Sequence, residues 1–128
     1  MLLIVMNLSL SWQNILSKYQ DFVIIVEGKK DTAALNALGF DKIFEIHQTG
    51  ISIHERVESI IKKIGKKDTV CILTDFDKKG KQLYFIIQRE MQAFGVRLDS
   101  SLRNMLLRMN ISHIEGLDSF VENHNLSY

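Results

Sequence analysis

The chain has 128 residues, a length that fits one domain, and its 46% hydrophobic and 24% charged residues are enough to bury a core in water. A net charge of +1 excludes a global basic field, so a nucleic-acid partner would have to be met by local basic patches. The single cysteine, Cys71, excludes an internal disulfide and fits a reducing cytoplasm, and with scattered histidines it leaves no zinc spacing.

Residues 1–10 are apolar but lack a basic leader and a small-residue cleavage site, and they are too short to span a bilayer. A leading strand, a packed extension or a later start at Met6 are the readings they allow. Trp12, Ile15, Leu16 and Tyr19 recur at helical spacing, so residues 10–20 read as an amphipathic helix. Residues 1–21 are thus expected to form an N-terminal extension and residues 22–128 the domain proper.

Residues 22–26 are a continuous apolar run and read as a strand buried on both faces. A short helix over 30–38 follows, stopped by Gly39. Residues 42–47 alternate as a second strand, with Glu45 on the surface. Ser52 and Glu55 form a capping box for a helix carrying Val57, Ile60, Ile61 and Ile64. Lys62, Lys63, Lys66 and Lys67 close that helix, where cations oppose its dipole. Residues 69–75 are a third strand holding Cys71 as a small apolar residue. A helix over 80–94 carries Leu83, Ile86, Ile87, Met91 and Phe94 on one side. Another begins at Asp99 or Ser100 and carries Leu102, Met105, Leu106 and Met109. Residues 111–115 are expected to form the fourth strand, and Asp118 opens a last helix. Strands alternating with helices imply an α/β fold with a parallel sheet and right-handed crossovers.

Two of these strands end in carboxylates. The first delivers Glu27-Gly28-Lys29-Lys30-Asp31, the third Asp75-Phe76-Asp77. Parallel strands present ligands at their carboxyl ends, so Glu27, Asp75 and Asp77 can meet although 48 positions separate the first two. Three close carboxylates repel one another, and a divalent cation is the usual remedy. Hard oxygen donors favour Mg²⁺, with Mn²⁺ as the alternative. The pattern points to metal-dependent phosphate chemistry. Gly28 would let backbone approach a phosphate. Lys29, Lys30, Lys78, Lys79 and Lys81 flank the acids, either as phosphate contacts or as solvated loop lysines. Asp31 reads as a helix cap or a support for Glu27. Glu115 could add a distal carboxylate, and His113 reads as structural. Arg97, Arg103 and Arg108 could form a nucleic-acid rim. No phosphate-binding Gly-x-x-x-x-Gly-Lys-Ser loop is present.

Glu-Gly-x-x-Asp after one strand, then Asp-x-Asp with Gly80 three residues on, resembles the Toprim domain of primases, topoisomerases, OLD-family nucleases, recombination proteins and ribosomal-RNA maturases. The resemblance covers roughly residues 22–122 and is nearest the small stand-alone members and the maturases. It implies a Rossmann-like three-layer sandwich with a four-stranded, mainly parallel sheet in the order 2-1-3-4. It implies Asp75 and Asp77 as metal ligands, and Glu27 as general acid or base or a further ligand. Gly28, Lys29, Lys30, Lys78, Lys79 and Gly80 would face the substrate. The expected partner is RNA or DNA, with a protein that presents it or a second copy of the chain also conceivable. A nuclease or RNA-processing enzyme is the leading expectation, and a non-catalytic RNA- or DNA-binding or assembly module the alternative.

Overall fold

Strand β1 (Val23–Val26) is buried at every position, as a strand must be when helices cover both faces of its sheet. The computed structural model describes residues 14–125. After β1 come helix α1 (Lys29–Ala37), β2 (Ile43–Glu45), α2 (Ile53–Lys63), β3 (Thr69–Ile72), α3 (Lys78–Ala93), β4 (Arg97–Leu98), α4 (Ser101–Arg108), a 3₁₀ turn (Ile114–Gly116) and α5 (Leu117–Asn125). The sheet order is β2-β1-β3-β4, and every pairing is parallel.

The period-2 geometry of strands divides the core in two. Ile24, Val26, Cys71 and Leu73 face Leu35 of α1, Leu102 and Leu106 of α4, and Leu117 of α5. Val23, Ile25, Val70 and Ile72 face Val57 and Ile60 of α2 and Leu83, Ile87 and Met91 of α3. The result is the expected three-layer sandwich. Each of the larger aliphatic side chains contributes about 1.5–3 kcal/mol by leaving water. Burial, with the charge of Asp99 next in importance, pushes the Cys71 thiol up to about 12, so it packs as an apolar residue.

Several local expectations hold. Of the box expected from Ser52 and Glu55, the Ser52 half is formed: its side chain caps α2 by accepting the Glu55 N–H at 3.1 Å. A helical turn spans residues 14–17, and Leu16 is buried in the first cluster. Trp12 and the apolar residues 1–10 lie outside the described residues. Ile86 and Phe94, expected on the apolar face of α3, are instead exposed, because Leu83, Ile87 and Met91 alone fill the stripe against the sheet.

The fourth strand is not where the apolar pattern placed it. Residues 111–115 do not run as a strand. Asn110 turns the chain at φ 60°, the Phe76 N–H donates to the Ser112 carbonyl at 3.1 Å, and the chain then winds into the 3₁₀ turn. The actual fourth strand is Arg97–Leu98, directly after Gly95 ends α3 at φ 74°. Two residues are too few to show a period.

That short strand leaves β3 unsatisfied on one side. β4 pairs with β3 only at Thr69 and Val70, and the last bond is Asp99 N–H to the Val70 carbonyl at 2.9 Å. Beyond it, the buried Arg103 of α4 donates to the carbonyls of Ile72, Thr74 and Asp75. Its guanidinium lies 4.6 Å from the Phe76 ring centroid and 4.4 Å from that of Tyr84. Arg103 is therefore part of the sheet's hydrogen bonding and not of a nucleic-acid rim. Arg97 and Arg108 are exposed, but Arg97 pairs with the first residue of β3, at the opposite end of the sheet from the carboxylates.

Arg103→Leu strands these buried carbonyls and should cost about 2–4 kcal/mol in urea unfolding, with Arg103→Lys recovering only part, since one ammonium cannot span three acceptors. Unfolding midpoints equal to wild type for both variants would refute the role. A second expectation concerns the α2–α3 contact, where His54 Nδ1 meets Glu90 Oε1 at 2.9 Å and His54 Nε2 meets Glu58 Oε1 at 3.1 Å. The Glu90 hydrogen bond first, then the charges of Glu90 and Glu58, raise the His54 pKa above 6.5. A raised folded pKa means the clasp is fully present below pH 6.5 and is lost as pH rises through the folded value. An NMR titration should put the His54 midpoint above 6.5, with Glu90→Gln returning it toward that value.

Candidate metal centre

Neighbouring parallel strands β1 and β3 open side by side at the same sheet edge, where the strand order reverses. This is where open α/β sheets hold ligands. Glu27 leaves β1 with a largely buried side chain and reaches across to β3, where Oε2 accepts the Asp75 N–H at 2.8 Å. Its other oxygen, Oε1, lies 3.7 Å from His47 Nε2. His47 is held in turn by its own N–H, which donates to the Glu27 carbonyl at 3.1 Å.

Asp75 is fixed through both oxygens. Oδ1 accepts the Ile114 N–H at 3.0 Å, and Oδ2 lies 3.3 Å from His113 Nδ1. The bond to Asp75, then the charges of Asp75, Asp77 and Glu115, hold the His113 pKa above its ordinary value. Asp77 caps α3 by accepting the Gly80 N–H at 2.7 Å. Asp75, Asp77 and His113 each offer a donor atom, and these atoms lie within 4.8 Å of one another. Two carboxylates and an imidazole fit a six-coordinate dication that keeps water or phosphate in its remaining positions. Glu27 stands outside this trio, one oxygen committed to the Asp75 backbone.

Asp31 is buried and accepts the Gly28 N–H at 3.0 Å. Burial pushes its pKa up; the Gly28 bond pulls it back, and Asp75, Glu27 and Glu115 add to the rise. Its fold role is to close the first turn of α1, with the acid field of the site around it.

Glu27, Asp31, Asp75, His113 and Glu115 line one open cleft of about 410 Å³ together with Gly28, Lys29, Lys30 and His47. Lys78 and Lys79 are exposed at the start of α3 and are not among its lining residues. A Cβ at Gly28 would meet nothing within 4 Å, so open space adjoins that backbone. At Gly80 a Cβ would sit 2.0 Å from the Asp75 carbonyl oxygen. That glycine is required by packing, whatever else it touches. Glu45, expected on the surface, is half-buried: Oε2 accepts from Thr32 Oγ1 at 2.8 Å, and its carbonyl accepts from Arg56 Nε at 2.8 Å.

The sequence pattern passed over His47 and gave His113 a structural role. His47 carries a signature like that of Glu27, a polar residue directly after a buried apolar one at the close of a strand run, here Ile46 just past β2, and could have been found by it. His113 had no such signal, since its segment is not a strand.

Comparison with known proteins agrees with this architecture. The Toprim domain family model matches residues 21–100. A UPF0292 protein of Methanosarcina barkeri is 32% identical over 99 residues, covering 76% of this chain and 65% of that protein, so the chain spans just under two thirds of that relative's length. UPF0292 proteins of Thermococcus onnurineus (32% over 110 residues, 84% of this chain and 78% of the relative) and Methanocaldococcus jannaschii (33% over 101 residues, 77% of each) are similar. A solved structure of an Aquifex aeolicus protein matches with a TM-score of 0.70 and 28% identity, over 82% of this chain and 94% of that one. A Toprim domain points to metal-dependent, nucleic-acid-related function, and no helix among the described residues is long and apolar enough to cross a membrane. With its sheet order, its paired acidic strand ends and these relatives, the chain belongs to the Toprim family, together with the UPF0292 proteins.

Proposed function

We propose that this chain is a Mg²⁺- or Mn²⁺-dependent enzyme acting on nucleic-acid phosphodiesters, as a nuclease or RNA-processing protein. The observation that supports it most is the hydrogen bond from the Asp75 N–H to Glu27, which locks a carboxylate beside the Asp75–Asp77–His113 donors at one open edge. Asp75 and Asp77 would hold the ion. When bound, it supplies positive charge to a scissile phosphate.

The chain's own residues account for the rest. Glu27 uses Oε2 for positioning and keeps Oε1 toward the cleft residue His47. Oε1 is thus the atom that would take a proton from an attacking water or hydroxyl, or return one to the leaving oxygen. Lys29 and Lys30 line the cleft and would meet flanking phosphates, while Gly28 leaves room for a phosphate against the backbone. Gly80 would serve through its N–H to Asp77, and the exposed Lys78 and Lys79 would extend the basic rim. The cleft is open and holds few groups for grip, which favours a partner protein or a second copy that presents the substrate. The same openness supports the second reading, a non-catalytic RNA- or DNA-binding module that keeps the metal site.

Two experiments test this. Structured RNA, single-stranded DNA and duplex DNA are incubated with Mg²⁺ or Mn²⁺ beside Asp75→Asn and Glu27→Gln. Asn keeps an acceptor for the Ile114 N–H, so the fold should survive. Cleavage by wild type should fall about 10²–10⁴-fold in Glu27→Gln while binding persists. Binding without cleavage by wild type would favour the second reading. Gly28→Ala should fold with stability within about 1 kcal/mol of wild type, its backbone being extended. Its substrate affinity should nonetheless drop by about tenfold, near 1.4 kcal/mol. Unchanged affinity in that variant would remove Gly28 from the substrate path.

A further inference from the structure

We infer that His113 is a third donor to the Asp75–Asp77 centre and tilts it from Mg²⁺ toward transition-metal dications, Mn²⁺ among them. This rests on the reading of Asp75 and Asp77 as metal-holding residues and concerns what completes the set.

The inference is carried by how the backbone places this imidazole. His113 lies between two residues that are each hydrogen-bonded to the end of β3. Ser112 accepts the Phe76 N–H at 3.1 Å, and Ile114 donates to Asp75 Oδ1 at 3.0 Å. Ile111 and Ile114 are buried, so the segment is anchored in the core on either side of its polar residues. A backbone bracketed in this way holds the point of attachment of the imidazole beside the acid pair. Its Nδ1 faces Asp75 Oδ2 at 3.3 Å, and its donor atom lies within the 4.8 Å span shared with Asp75 and Asp77. Half of the side chain is exposed, with 50% relative accessibility. Burial therefore does not explain its position, and the ring is open to an ion arriving from the cleft it lines.

The chemistry follows from donor type. Two carboxylates alone suit a hard ion such as Mg²⁺, which binds through oxygen and keeps several waters. A neutral imidazole nitrogen adds little for Mg²⁺ but favours first-row transition dications. His113 also lies beyond residues 21–100, the span matched by the family model. The third donor thus comes from the return segment after α4.

The test uses the full chain with Mn²⁺ and reads the metal's surroundings as well as its affinity. Pulsed EPR of the Mn²⁺ complex should show nitrogen coupling from an imidazole. The coupling should vanish in His113→Asn and survive in His47→Asn, which removes the other cleft histidine. Mn²⁺ affinity should fall at least about tenfold in His113→Asn, while Mg²⁺ affinity, measured by competition, changes by less than about threefold. No nitrogen coupling in wild type, or coupling lost in His47→Asn instead, would overturn the inference with the Asp75–Asp77 centre intact. Equal Mn²⁺ binding by wild type and Asp75→Asn would overturn the centre itself, and this inference with it.

Discussion

The peptide of Asp75 is the point on which the structure depends. β3 runs on past the end of β4, and a buried backbone must find partners for every N–H and carbonyl. Here the partners are side chains and a returning loop. Glu27 takes the Asp75 N–H. Arg103 takes the carbonyls of Ile72, Thr74 and Asp75. Ser112 takes the Phe76 N–H, and α3 starts so close to the Asp75 carbonyl that only glycine fits at position 80. Each contact completes the fold and also aims a polar group at the same edge. The site is a by-product of finishing the end of β3 on both sides, by Glu27 beyond β1 and by Arg103 beyond the short β4.

The same contacts explain how several acids can share this edge. Glu27, Asp31, Asp75 and Asp77 each accept a backbone N–H, from Asp75, Gly28, Ile114 and Gly80 respectively. Charge-assisted bonds of this kind fix the orientation of each carboxylate. Helices α1 and α3 also begin here, with their positive ends toward the acids. The compensation is incomplete, since the buried Asp31 feels Asp75, Glu27 and Glu115 and is pushed upward. A cation is the group that this balance of fixed dipoles and remaining charge still accommodates.

What was legible in the sequence follows from what periodicity reports. β1 and β3 were visible because a strand buried on both faces has to be apolar at every position. Their abrupt acidic ends were visible for the same reason. The Ser52 cap and the stripe of α2 were visible because each is a local pattern. The two-residue β4 was not, because two residues make no pattern. Without β4 in view, the apolar residues 111–115 stand as the fourth strand, and nothing fixes the face that Arg103 presents. The role of Arg103 exists only because β4 is short, so neither could be read without the other. The nearness of His113 to Asp75 is hidden for a related reason: it comes from the turn at Asn110 and two long-range backbone bonds, and neither leaves a local trace.

These links tie α4 to the chemistry as closely as β1 and β3. Leu102 and Leu106 bury α4 against the sheet, Arg103 between them closes the end of β3, and the chain leaving α4 passes Asn110 and delivers His113 and Glu115 to the cleft. The family model stops at residue 100, one residue before α4 begins. The Glu27 and Asp-x-Asp pattern therefore accounts for the two walls of the cleft built on β1 and β3. The third wall comes from a segment whose position is set by core packing, so any shift of α4 across the sheet would move Arg103 and His113 together. The registration of one short amphipathic helix thus controls both the support of Asp75 and the donors that face it.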